Sequence, residues 1–101
     1  MSIANNIVNV AIQVLPMSDK HDMYDMVDAA IELIQKSGLT YKVTPFETVV
    51  EGKYDEVMEL VKKVQEVCFT SGAEKLLCNL KIQSHKSNAV LIEDKVGKYE
   101  K

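Results

Sequence analysis

An α+β sandwich, a four-stranded antiparallel sheet with two helices on one face and a short C-terminal helix, is predicted by three observations. Apolar residues alternate with period two in "IVNVAIQVL" (7–15) and again in "EKLLCNLKIQ" (74–83), at opposite ends of the chain. Between these runs lie two apolar stripes at helical spacing, each closed by a glycine, Gly38 or Gly72. The stripes are in turn separated by two short runs around Pro45, "LTYKVTP" and "ETVVEG", which have the length and composition of a hairpin.

The first strand puts Val8, Val10, Ile12 and Val14 on a dry face and Ile7, Asn9, Ala11, Gln13 and Leu15 on a mixed one; Pro16 and Ser18 are expected to stop it. Asp19 or Asp22 can cap the helix that follows, whose stripe is Met23, Met26, Val27, Ala30, Ile31 and Ile34. Pro45 is tolerated at a strand end, and the arm "PFETVVEG" (45–52) is expected to be the return strand of the hairpin. A second helix from Tyr54 or Asp55 to Ser71 carries Val57, Leu60, Val61, Val64, Val67 and Cys68. In the last strand Leu76, Cys78, Leu80 and Ile82 should face the core, opposite Leu77, Asn79, Lys81 and Gln83. "SNAVLIEDKVGKYEK" then suggests a tail helix capped by Ser87 or Asn88.

The order β-α-β-β-α-β with both helices on one side of the sheet is a ferredoxin-like sandwich, expected as one domain over residues 1–101. The open face that remains is too apolar to be left wet, so self-association through it is expected. A hydrophobic content of 47% and a charged content of 27% describe a chain that folds rather than a disordered one. The net charge of -3, with basic residues scattered, leaves no footprint for a nucleic-acid backbone. The sheet also lacks the aromatic and glycine pattern by which such folds stack RNA bases. Cys68 and Cys78 lack CxxC spacing and sit where burial is expected, which fits reduced thiols. The N-terminal apolar run is broken by Asn9 and Gln13 and has no basic residue before Lys20, so neither a signal peptide nor a membrane span is expected, and the expected location is the cytoplasm.

Motifs that carry chemistry are few. His21 and His85 lack partners at ligand spacing, so no metal and no cofactor is expected, and no GxSxG, Walker or GxGxxG pattern occurs. Met17, Met23 and Met26 are assigned to core filling rather than to a binding groove. The polar residues of the 45–52 arm, Glu47, Thr48 and Glu51, have two readings: outward-facing strand residues, or the lining of a ligand pocket.

At "AIQVLPMS" (11–18), "SGLTYKVTPFETVVEG" (37–52) and "LKI" (80–82) the chain resembles the small thiamine-binding-protein family over nearly its whole length. The resemblance rests on Pro16 at the end of the first strand, the Ser-Gly-Leu-x-Tyr entry to the hairpin and the Pro-x-x-Thr-x-x-Glu arm of Pro45, Thr48 and Glu51. It implies a ferredoxin-like fold, homodimers that pair into tetramers, and binding of thiamine or its hydroxymethylpyrimidine part without catalysis. The chain departs from the family at "IQSHKS" (82–87), where an acidic and arginine-rich segment is common. Lys75 also replaces an arginine, which keeps the charge and loses the planar fork.

An aminopyrimidine needs one or two placed donors and acceptors in an apolar slot, and Thr48 and Glu51 could supply them, with Gln13, Phe46 and Glu47 as further candidate ligand residues. Thr48 and Glu51 stand an odd number of positions apart, so both reach one ligand only if the strand bends or ends before Gly52. A thiazolium cation would favour a neighbouring carboxylate, Glu47 or Glu51. The expected function is therefore a cytoplasmic, non-enzymatic binder acting as carrier, buffer or sensor. The alternatives are a small enzyme using a glutamate as general base, or a regulatory or structural oligomeric subunit.

Overall fold

The computed structural model describes residues 1–100. The elements are β1 (Ile7–Met17), α1 (Met23–Lys36), β2 (Thr40–Val43), β3 (Thr48–Lys53), α2 (Tyr54–Thr70), β4 (Lys75–Gln83), α3 (Ile92–Val96) and a 3-10 turn over Gly97–Tyr99. The sheet has the order β2-β3-β1-β4, with every neighbouring pair antiparallel, which is the expected ferredoxin-like arrangement.

The two periodicities meet at one core. Val8, Val10 and Ile12 of β1 and Val50 of β3 are buried against Met26, Ala30 and Ile34 of α1 and against Val57, Leu60, Val61, Val64 and Cys68 of α2. Each fully buried aliphatic side chain contributes roughly 1.5–3 kcal/mol. Asp22 begins α1, its carboxylate accepting the Tyr24 N–H at 2.7 Å. Gly38, with φ of 83°, reverses the chain after the helix without the penalty a Cβ would bring.

Four expectations need correction. Pro16 does not stop β1: the strand runs on to Met17, paired with β4 through Pro16 opposite Leu76 and Met17 opposite Lys75. Because β3 pairs no further than Ile12, this end of β1 has one strand neighbour only, and the missing N–H is tolerated there as on an edge strand. Of the three methionines assigned to the core, only Met26 is buried. Met17 ends β1 on the open face and Met23 is the first residue of α1, and both are about two-fifths exposed. Leu80 and Ile82 share the helix side of the sheet with Ile12 and Val10, yet they are 36% and 44% exposed. The start of α2 lies over β3, where Val57 packs beside Gly52 and Leu39, and the Leu80–Ile82 end of β4 is left uncovered.

The fourth correction concerns the tail, where Ser87 and Asn88 cap nothing and only Ile92–Val96 is α-helical, followed by the 3-10 turn. The Val90 N–H donates to the Ile7 carbonyl at 3.1 Å, and the Val90 carbonyl accepts from the buried Asn9 amide at 2.8 Å, so this stretch is held extended by β1. Helical periodicity in the tail sequence yields to these non-local bonds. No helix among the described residues is long and apolar enough to cross a membrane.

Cys68 is buried and Cys78 half-buried, and both are free thiols. Burial pushes the Cys68 thiol above its usual range, with the neighbouring Cys78 adding to the effect, and burial does the same to Cys78. A raised folded-state pKa means that the unfolded chain ionises first. The stabilisation is therefore complete below the ordinary thiol pKa of about 8.5 and is lost as pH rises through that value toward the folded one. Alkylation at pH 8 is expected to be at least about tenfold slower in the native protein than in urea. Equal rates would show the thiols to be exposed and ordinary.

Candidate functional site

The hairpin reverses direction over residues 44–47, and Thr44 builds the turn. Its hydroxyl accepts the N–H groups of Phe46 (3.3 Å) and Glu47 (3.1 Å) and donates to the Glu47 carbonyl at 2.6 Å, while its own N–H donates to the same carbonyl at 3.0 Å. Phe46 and Glu47 therefore belong to the turn, and the return strand begins at Thr48 rather than at Pro45.

From Thr48 the strand is regular. Thr48 stands opposite Ile12 and Val43 and is 5% exposed on the helix side; Glu51 stands opposite Asn9 and Thr40 on the open side. The chain does not bend to bring them together, so the two residues of the Pro-x-x-Thr-x-x-Glu arm address opposite faces of the sheet.

Thr48 opens into a cavity of about 260 Å3 enclosed by β1, α1 and the turn. Gln13, Phe46, Glu47 and Thr48 all border it, facing Tyr24 and Asp28 of α1. Its origin is the unequal length of the central pairing: β3 starts opposite Ile12 while β1 continues, and the turn with the flank of α1 closes over the space left beside β1. Val14, Val27 and Ile31 supply apolar walls. On the open face a second hollow, also about 260 Å3, is bordered by Ala11, Gln13, Phe46, Glu47, Asn79 and Lys81. Gln13, Phe46 and Glu47 thus border both spaces. Phe46, 79% exposed, has little else to pack on.

The turn is tethered across the sheet. Lys81 approaches the Glu47 carboxylate at 2.8 Å, and the Gln13 side-chain oxygen accepts from the Asn79 amide at 3.1 Å. Glu47 is the better sheltered partner of its pair, its side chain 18% exposed against 82% for Lys81.

Glu51 is engaged elsewhere. Its carboxylate accepts the Ile92 N–H at 2.6 Å and so closes the N-terminus of α3, which has no side-chain cap of its own. Asn9, its neighbour across the ladder, holds Val90 through Nδ2, while its Oδ1 is buried without a protein partner. Lys42 and Glu100 pair at the far end. The segment after β4 is therefore a strap that covers one half of the open face, around Asn9 and Glu51. The other half retains Leu77, 49% exposed, with Ala11, Gln13 and Leu15 half-buried. Residues 84–87 form the bend that launches the strap, the His85 Nδ1 accepting the N–H groups of Ser87 and Asn88 at 3.1 and 3.0 Å.

His21 lies against Gly72, where any Cβ would meet its ring. Among the described residues no group of three or more His, Cys, Asp or Glu side chains could hold a metal ion. A larger open groove of about 630 Å3 lies between the end of α1 and the start of α2, with Leu33, Leu39 and Leu60 among its lining and Lys36, Glu59 and Lys63 at its rim. None of the candidate ligand residues borders it.

Sequence reasoning missed the contribution of α1. Tyr24, Val27, Asp28 and Ile31 follow i, i+3, i+4, i+7 spacing, a stripe beside the buried one, and that spacing was the available signal. It also missed the strap, for which Glu51 opposite a buried Asn9 is the structural key.

Replacing Glu51 by Ala should free the strap. Stability is expected to fall by about 1–2 kcal/mol, given the partial exposure of this charged acceptor, and amide exchange at Ile92–Val96 should rise while the β1–β3 ladder stays protected. Unchanged exchange at α3 would show that the strap is held by other contacts.

The sequence profile of the thiamine-binding protein family matches residues 10–100. A UPF0045 protein of Clostridium perfringens is 42% identical over 91 residues, covering 90% of this chain and 95% of its own length. Among solved structures, a domain of unknown function from Bacillus cereus superposes with a TM-score of 0.91 at 36% identity, covering 99% of this chain and 96% of that one. A Thermotoga maritima protein assigned provisionally to thiamine biosynthesis or salvage gives 0.82 at 34% identity, over 93% and 99% of the two chains. With all of the sheet but the first three residues of β1, both main helices and the strap inside the matched region, the chain belongs to the thiamine-binding protein family.

Proposed function

We propose that this protein is a non-enzymatic binder of thiamine or of its hydroxymethylpyrimidine part, acting in the cytoplasm as carrier, buffer or sensor. The observation that carries the reading is the convergence of Gln13, Phe46, Glu47 and Thr48 on one cavity under the hairpin turn. At about 260 Å3 it lies just below the roughly 300–1,000 Å3 usual for drug-sized ligands, a size that suits a single heteroaromatic ring. Thr48 offers a hydroxyl and Phe46 a stacking surface, set among aliphatic walls, with Gln13 at the seam between the two hollows. In this reading Glu51 is a structural residue and not a ligand contact.

Both glutamates of the arm are already engaged as acceptors, Glu47 by Lys81 and Glu51 by the Ile92 N–H, which favours binding over general-base catalysis. Thr48→Val keeps the shape of the side chain and deletes the hydroxyl; it should weaken thiamine and hydroxymethylpyrimidine by about 1–3 kcal/mol, or roughly five- to 150-fold, with little change in melting temperature. Glu51→Gln should leave affinity within about twofold, because its carboxylate faces the strap. Calorimetric titration of both compounds into wild type and the two variants decides the matter: absence of binding by wild type refutes the function, and full affinity in Thr48→Val moves the site away from this cavity.

The uncovered half of the open face is proposed to pair subunits into dimers or tetramers. Leu77 is half exposed at the centre of an apolar row with Leu15, and such a patch calls for a partner surface. Light scattering should give a mass of at least twice 11.3 kDa at micromolar concentration, and Leu77→Lys should dissociate the assembly before the subunit unfolds. A monomeric wild type would contradict this.

A further inference from the structure

Resting on the ligand-binding reading above, we propose that Asp28 sets the charge preference of the cavity under the turn, so that the site takes an unphosphorylated, positively charged heteroaromatic compound and rejects its phosphate esters. Two acidic side chains border the cavity, Asp28 from α1 and Glu47 from the turn. They are not equivalent. The Glu47 charge is balanced by Lys81, which approaches across the open face of the sheet and does not itself border the cavity. Asp28 makes no ion pair among the described residues.

The lining contains no Lys, Arg or His, so nothing there can neutralise a phosphate. Nor does a helix offer its N-terminal N–H groups: α1 contributes residues from Tyr24 onward, and the Tyr24 N–H is already given to Asp22. A phosphoester carrying nearly two negative charges would enter beside an unbalanced carboxylate, whereas a thiazolium or other ring cation would be drawn to it. Asp28 is exposed at the rim, where water and salt reduce its field, so the discrimination it confers is a matter of selectivity rather than of the whole affinity. Tyr24, one turn earlier on the same flank and also bordering the cavity, adds an aromatic face of the kind that holds cations.

The test is calorimetry at low ionic strength with thiamine, thiamine monophosphate and uncharged hydroxymethylpyrimidine. Three proteins are compared: wild type, Asp28→Asn, and Asp25→Asn as a control that removes an acid from the first turn of α1 outside the cavity. Wild type is expected to prefer thiamine to its monophosphate by at least about tenfold. Asp28→Asn should weaken thiamine by about three- to tenfold, narrow the margin against the phosphate and leave hydroxymethylpyrimidine within about twofold. Asp25→Asn should change none of these. If wild type binds thiamine but Asp28→Asn binds it equally well, or if wild type takes the monophosphate as tightly as thiamine, the role of Asp28 is refuted while the binding function stands. If wild type binds none of the three compounds, the binding function falls and this inference with it.

Discussion

The register of β1 is the constraint from which the rest of the molecule follows. This central strand pairs with β3 from Ile7 to Ile12 and with β4 from Asn9 to Met17, so its two neighbours overlap only in the middle. Where both are present, Val10 and Ile12 are sealed beneath the helices. Beyond Ile12 the β3 side is vacant, and the Thr44 turn, α1 and Gln13 meet around that vacancy to make a cavity. Before Asn9 the β4 side is vacant, and there Val90 of the strap takes the backbone position, its N–H on the Ile7 carbonyl. Cavity and strap are thus two consequences of one offset in strand pairing.

Strand parity then divides the labour of the hairpin arm. A period of two sends Thr48 to the helix side and Glu51 to the open side, and three residues of separation cannot be undone without a bulge. The arm is accordingly half cavity wall and half structural tie. Its glutamate closes a helix that supplies no cap, and its threonine brings a hydroxyl to an otherwise aliphatic wall. Glu47 and Gln13 stand between these roles, tethered to Lys81 and Asn79 so that the turn is held over both hollows.

Much of this was legible in the sequence because it is set locally. The alternation in β1 and β4 and the helical stripes of α1 and α2 specify faces from neighbouring residues alone, and they put Gln13 and Asn79 correctly on one face of the sheet. What escaped depends on partners distant in the chain. Pro16 was expected to end a strand because its tolerance depends on β3 stopping short at Ile12. The tail looked helical from Ser87 because nothing local reveals that Asn9 and Ile7 will hold Val90 extended. Leu80 and Ile82 looked buried because alternation does not report how α2 crosses the sheet. Asp28 went unnoticed on α1 because a charged flank gains meaning only when a turn docks beside it.

The central claim is that the space left beside β1 beyond Ile12 is the ligand site, and backbone amide chemical shifts recorded while thiamine is added test it most directly. The account predicts that the largest shifts cluster at residues 44–48, at Gln13 and along the Tyr24 to Ile31 flank of α1, with the groove at Leu33 and Leu60 unmoved. Shifts confined to that groove, or to the strap around Val90 and Ile92, would contradict it.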